Sequence, residues 1–262
     1  MLVSKRLLST TFQPRFLDKF FKPVVEASNP RKHEVKTLIR PVGLVSPPTP
    51  HTKYSKGNSF KDLFDEEKTA KRTEELSREM SYSAMYDMHT FRQTNGKLFL
   101  SPKAYWRKDR ALYFPHIVGK SLANKKLSIE EVLKGKLSVV RMFSNSAGND
   151  LTLQYLKRIQ NTKELQFINI HWVENVLKSA IVKLSKWNIK NNVPKESHKD
   201  YFICSRSQLP FTIRDELKIN NMYTGYLFLV DKDLKIRWLG CGGATTLDQE
   251  ILANSIEGLL KE

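Results

Sequence analysis

Two cysteines, Cys204 and Cys241, are the only thiols in the chain. Thiol–disulfide chemistry needs a thiolate, and the usual devices are a cysteine at a helix N-terminus or a Cys-x-x-Cys pair. Neither arrangement occurs. Cys204 lies in an apolar run and Cys241 in Gly-Cys-Gly-Gly. Both read as small buried side chains, with a redox switch or disulfide as the competing use. His171, His198 and Cys204 do not fall at metal-ligand spacing. Asp231 opens Asp-Lys-Asp-Leu-Lys and reads as a turn residue in preference to an acid catalyst. Arg237 and Trp238 are types enriched in interface hot spots; the other reading is a tryptophan capping a sheet with the arginine at its edge. No Gly-x-x-x-x-Gly-Lys-Ser/Thr phosphate loop is present, so no nucleotide or other cofactor is expected. The residues point to a protein that binds, not to an enzyme.

The elements that must position these residues read as α/β. KLFLSP is a short strand, and LYFPHIVGKSLANKKLSIEEVLKGK reads as an extended segment, a hairpin carrying Leu122 and Leu127, and a short helix capped by Ser128. LSVVRMF and LQFINIHWV are strands by β-branched content and length. ENVLKSAIVKLSKW places Val176, Leu177, Ala180, Ile181 and Leu184 on one helical face. A polar loop NIKNNVPKESHKD leads to the strand YFICS, and FTIRDELKINN reads as a helix ending near the asparagine pair. In the final hairpin, Tyr226, Phe228 and Val230 alternate with Leu227 and Leu229. Both faces of that strand are apolar, as in a central strand covered by helices on both sides. Gly240, Gly242 and Gly243 permit backbone angles or close approaches that a Cβ would block. Thr246 with Gln249 reads as the capping box of the last helix.

This order is thioredoxin-like, of the peroxiredoxin type: a mixed sheet flanked by helices, with a helical N-terminal extension. In active members of that fold, the loop after the first core strand carries the reactive cysteine at a helix N-terminus. Here the loop is SNSAGNDLTLQYLKRI, and the hydroxyls of Ser144 and Ser146 form neither thiolate nor disulfide. Active members also place a cis-proline before the first hairpin strand. This chain has Thr224 and Gly225 there.

Over the whole chain, the formal charge of +17, from 44 basic and 27 acidic residues, favours anionic partners. Residues 1–30 are basic, rich in Ser and Thr, and acid-free until Asp18, with Leu7, Leu8, Phe12 and Phe16 able to form one apolar stripe. That is the pattern of a mitochondrial presequence, with cleavage expected between Arg15 and Arg31. Residues 31–58 read as a basic, proline-rich linker, since VSPPTPH fits neither helix nor inner strand. Residues 59–95 read as a helical extension capped at Ser59 with Asp62. Its stripe of Leu76, Met80, Ala84, Met88 and Phe91 suits core packing or a docking surface for a partner helix. The thioredoxin-like domain spans 96–262. No run of 18 apolar residues occurs, so membrane contact is expected to be peripheral.

GYLFLVDKDLKIRWLGCGGAT, preceded by LKINNMYTGY, closely resembles the signature of a mitochondrial ATP synthase assembly-factor family. LYFPHIVGKSL, LKGKLSVVRMFS, LQFINIHWVENVLKSAIVKL and HKDYFICS are similar to its other blocks, so the resemblance runs from about Lys97 onward. It implies a matrix-side protein at the mitochondrial inner membrane that is not a subunit of the finished enzyme. It implies a chaperone for newly made Fo subunit a (subunit 6), helping it join the ring of c subunits. The signature residues Gly225, Tyr226, Asp231, Arg237, Trp238, Gly240, Cys241 and Gly242 are then candidates for partner binding; the family supplies no catalytic residues. A thioredoxin-like redox protein is the second reading. A basic ribosome- or RNA-associated protein is the third, although no RNP aromatic motif or zinc knuckle supports nucleic acid as a partner.

Overall fold

The computed structural model describes residues 33–52, 54, 64–70, 72–73, 84–160, 164–173 and 188–262. The expected presequence, the Ser59 cap and the helix expected over 174–187 lie outside the described residues.

Nine strands and five α-helices are named here in chain order. They are β1 (Lys36–Thr37), α1 (Ala84–Thr94), β2 (Phe99–Leu100), β3 (Val118–Ser121), β4 (Lys126–Ser128), α2 (Ile129–Leu133), β5 (Leu137–Phe143), α3 (Ser146–Leu153), β6 (Leu165–Val173), β7 (Tyr201–Ser205), α4 (Phe211–Glu216), β8 (Tyr226–Val230), β9 (Ile236–Cys241) and α5 (Thr246–Leu260). The main sheet runs β4-β3-β7-β6-β5-β8-β9. β5, β6 and β7 are parallel, while β8 is antiparallel to β5 and β9 to β8. Parallel neighbours need a crossover, and α3 supplies it between β5 and β6. A β-α-β unit, then an antiparallel pair and a closing helix, in the order β6-β5-β8-β9, is the thioredoxin-like core. The β3–β4 hairpin and β7 extend it on one side.

Every residue of β5, β8 and β9 is buried, because apolar layers cover both faces. Successive side chains leave a strand on opposite faces. Thus Val140, Met142, Phe228 and Val230 join Ile117, Ile129 and Ile170 in one cluster. Val139, Leu227 and Leu229 join Trp238 with Leu252, Ile256 and Leu259 of α5 in the other.

Several boundaries differ from the sequence reading. Most of the stretch read as a linker is docked on the domain: β1 pairs with β2, Val42 is in the core, and Leu44 bridges to Tyr113. Its prolines exclude regular structure from only part of it. Ser128 precedes α2 but makes no side-chain cap bond. The loop expected over 188–200 is helical at 188–192 and again, as a 3-10 turn, at Lys195–Lys199. Helix α4 stops at Glu216, short of the asparagine pair, because Lys218 takes a left-handed backbone with φ 58°. The box on α5 is Thr245 with Asp248; Gln249 instead donates to the Gln154 carbonyl at 2.9 Å.

Candidate functional site

The position where a thioredoxin-like enzyme keeps its thiol is the turn from β5 into α3. Here Asn145 is extended and caps the helix, its Oδ1 accepting from Gly148 N–H at 2.8 Å. The same side chain donates to the carbonyls of Met222 and Tyr223 at 3.3 and 3.2 Å, tying the helix end to the loop before β8. Across from it, Thr224 donates through Oγ1 to the Gly96 carbonyl at 2.8 Å. The backbones of Gly148 and Gly225 touch: a methyl on Gly225 would collide with the Gly148 carbonyl, and one on Gly148 would lie 2.9 Å from the Thr224 carbonyl oxygen. No cis peptide occurs among the described residues. The space left beside Ser144, Thr224 and Tyr226 is about 10 Å³, room for one water. A helix-end dipole is present, but the side chain at the cap is an amide, bonded to Gly148 and to the Met222 and Tyr223 carbonyls, and not a thiol.

Both thiols lie elsewhere and inside. Cys204 is on β7 and Cys241 on β9, four strand spacings apart, about 19 Å. A disulfide between them would require dismantling the sheet. Burial pushes both thiols up, Cys241 to about 12, so each stays protonated at neutral pH.

Of the remaining signature residues, Arg237, Trp238, Cys241 and Gly242 form a support line for the stretch 96–106. Asp231 Oδ1 accepts from the N–H groups of Asp233 and Lys235, shaping the hairpin turn in which Leu234 has φ 68°. Its Oδ2 accepts from Arg237, which is 1% exposed and also donates to Glu262 and to the Trp106 carbonyl, with Tyr105 under its guanidinium. Trp238 is 0% exposed and donates from Nε1 to the Pro102 carbonyl at 3.0 Å. The Arg237–Trp238 pair therefore has its contacts inside this chain. Tyr226 donates to the Asn221 carbonyl at 2.9 Å. Gly240 faces the Tyr155 ring, and a Cβ there would lie 2.8 Å from it. Cys241 Sγ is 3.5 Å from the Phe99 carbonyl. Gly242, with φ 63°, lets the chain pass against the Gly96 carbonyl.

A second junction fixes the start of α5. Lys97 Nζ donates to Asp248 at 2.7 Å, to Tyr155 Oη and to the Gly243 carbonyl, both at 3.0 Å. Burial alone would raise the Asp248 carboxyl, but bonds from Lys97 and Thr245 outweigh it and hold it below the usual carboxylate range. A depressed carboxyl contributes stability above its unfolded pKa of about 4 and loses that contribution as pH falls through the folded value. Asp248→Asn is expected to cost about 2 kcal/mol at pH 7 and to flatten the loss of stability between pH 5 and 3, as followed by urea unfolding. Equal acid slopes in the two proteins would rule the linkage out.

Sequence reasoning missed one feature. A cleft of about 220 Å³ opens between residues 33–38, α1 and the loop 215–221. Its walls come from stretches read as linker, extension and helix end, so no local pattern announced it. Among the described residues no group of three or more acidic, His or Cys side chains could hold a metal, and no helix is long and apolar enough to cross a membrane.

Comparison with known proteins adds a sequence family to this geometry. A family model described as ATP10 protein matches residues 22–259. A protein of Candida glabrata called mitochondrial ATPase complex subunit ATP10 is 47% identical, over 97% of this chain and 95% of its own length. Proteins of the same name from Eremothecium gossypii and Saccharomyces cerevisiae are 43% and 44% identical, over 100% and 90% of this chain and 98% and 91% of theirs. Similar solved structures include a thiol-disulfide isomerase from Corynebacterium glutamicum, 21% identical, covering 59% of this chain and 99% of its own, with a TM-score of 0.41. A putative protein disulfide isomerase from Bacteroides thetaiotaomicron is 15% identical over 57% of this chain and 89% of its own, with a TM-score of 0.39.

Proposed function

The chain belongs to the ATP10 protein family, and from that premise we propose that it is an assembly factor of the mitochondrial ATP synthase. It binds newly made Fo subunit a (subunit 6) and promotes its joining to the c ring. It works by binding, without catalysis. The observation that carries this reading is the 47% identity, across almost the whole of both chains, to a protein named for the mitochondrial ATPase complex. The geometry supports the second half of it: the side chain at the helix cap is an amide and not a thiol, and both real thiols are buried.

The physical need is plain. Subunit a is very hydrophobic, and until it meets the ring its packing faces and polar groups lack partners. A peripheral protein on the matrix side can hold its exposed loops or termini and delay wrong contacts. The formal charge of +17 suits residence beside an anionic leaflet.

The test is to pulse-label mitochondrial translation products, crosslink briefly and pull down this protein. Recovery of new subunit a is expected, with loss of assembled Fo on depletion and little of this protein in the finished enzyme. Recovery of ribosomal RNA or a broad set of products would move the reading to a ribosome-associated protein. Stoichiometric retention in the mature complex would make it a resident subunit.

A further inference from the structure

The two ends of the main sheet differ in charge. β5, β6 and β7 run parallel and start at one end. β3 is antiparallel to β7 and β8 to β5, so the β3–β4 and β8–β9 turns come to that same end. Residues 134–136 enter β5 there and residues 195–200 enter β7. Gly135 N–H donates to the Lys232 carbonyl at 2.9 Å, which ties two of these turns together. The loop 107–110 joins them, since Lys235 Nζ donates to the Lys108 carbonyl at 2.7 Å. These segments (107–110, 122–126, 134–136, 195–200 and 231–235), with Glu164 before β6, hold eleven lysines and arginines against six acids. One of the six, Asp231, is buried and held by Arg237. The opposite end, built from 95–97, 144–150, 206–225 and 242–250, holds four cations against five acids. The positive charge is thus gathered at the end away from the β5–α3 turn. Lys125, Lys126, Lys134, Lys136 and Lys232 are exposed there and make no ion pair among the described residues. The cations are strung from β4 to the β8–β9 turn, across a sheet about 29 Å wide by strand spacing.

We propose that this end of the domain is the face laid against an anionic lipid bilayer, with the β5–α3 turn directed away from it. The chemistry of the face separates a bilayer from a nucleic acid. Nine of the eleven cations are lysines, compact hydrated charges suited to a diffuse field, whereas bidentate phosphate and base contacts favour arginine. No aromatic side chain is exposed on these turns for bases to stack on. The nearest ring, Tyr113, already lies under Lys235, 5.2 Å from its centroid. The face is also made of turns from five separate segments, which suits a broad surface and not a narrow ligand. Each lysine brought to an anionic leaflet strengthens binding roughly fivefold. Charges at the other end, about 23 Å away along the seven residues of β5, lie beyond two Debye lengths at about 0.1 M salt and add little. This inference deepens the assembly reading by naming the surface that meets the leaflet, and rests on it only for which membrane is met.

The probe is a vesicle of three parts phosphatidylcholine to one part phosphatidylglycerol, sedimented with the full chain at about 0.1 M salt. Binding is expected, with loss on pure phosphatidylcholine. The triple variant Lys134→Gln, Lys136→Gln, Lys232→Gln is expected to bind on the order of a hundredfold more weakly at an unchanged melting temperature, since all three side chains are exposed and unpaired. The control triple Lys36→Gln, Arg92→Gln, Lys218→Gln removes the same charge beside the cleft and α1 and is expected to change binding less than about threefold. Amine labelling on the vesicles is expected to spare Lys134, Lys136 and Lys232 and to reach Lys36 and Lys218. Absence of vesicle binding overturns the proposal. So does wild-type binding by the first triple, which would put the contact in the basic residues of 1–31, or equal weakening by both triples, which would make it a matter of net charge alone. Tighter binding to an RNA duplex than to the vesicles, lost in the first triple, overturns it in favour of nucleic acid. The sedimentation contains no ATP synthase, so its failure leaves the assembly reading standing. A failed pull-down with intact vesicle binding removes that reading and leaves the face.

Discussion

Replacing Arg237 with methionine is expected to destabilise the domain by about 3–5 kcal/mol, a fall in melting temperature of roughly 10 °C or more. The guanidinium is 1% exposed and satisfies three separate stretches of chain: Asp231 in the β8–β9 turn, the Trp106 carbonyl, and Glu262 beyond α5. Methionine fills much of the volume, so packing is not the main loss. The cost comes from Asp231, whose carboxylate stays inside without its cation. Glu262 is different: its side chain is 45% exposed and can turn to water, so Glu262→Gln is expected to cost under about 1 kcal/mol. Adding Asp231→Leu to Arg237→Met is expected to recover part of the loss, because the buried pair then disappears together. Urea unfolding of the four proteins gives the comparison. Near-wild-type stability of Arg237→Met would show that the arginine is dispensable inside and return it to the list of partner anchors.

Gly225→Ala is the second large effect, at about 3 kcal/mol or more. Backbone conformation is not the cause, since Gly225 lacks the positive φ that marks Gly242. The cause is contact. The new methyl would enter the Gly148 carbonyl and press on Thr152, and both belong to a helix held by its own cap. Neither side can give without breaking the Asn145 bonds to Met222 and Tyr223. Gly148→Ala meets the same wall from the other side, so the double variant should cost less than the sum of the two. Gly243→Ala is the control: its nearest neighbours would lie at 3.2 and 3.4 Å, and a change within about 1 kcal/mol is expected. Equal melting temperatures for Gly225→Ala and wild type would mean that the loop and helix are not in contact in solution.

Much of the core was legible because its strands are apolar runs with clean polar borders. LSVVRMF, LQFINIHWV and YFICS became β5, β6 and β7 residue for residue. Errors came where a distant partner decides. Thr245 and Thr246 are equally good caps by local chemistry; what selects Thr245 is Asp248, itself held by Lys97, 151 positions away. The docking of residues 33–44 depends on bridges to Leu100 and Tyr113, and nothing in a proline-rich stretch encodes them. Arg237 read as a surface anchor or an edge residue because its acids, Asp231 and Glu262, are brought to it only by the completed hairpin and α5. The cleft was invisible for the same reason: three separate stretches make it.

The segment 97–114 has a consequence for association. It lies along β9, with Trp106 N–H on the Arg237 carbonyl, Ile236 N–H on the Leu112 carbonyl and Phe114 N–H on the Leu234 carbonyl. A foreign strand therefore finds that border of the sheet already occupied. At the opposite border, β4 is three residues long, begins with the exposed Lys126 and follows the exposed Lys125, a short charged rim that resists further pairing. An open sheet border is a row of unpaired backbone groups on which other chains can nucleate aggregates. Here both borders of the sheet are closed, one by the chain's own arm and the other by brevity and charge, so the sheet offers other chains no ready template for edge pairing.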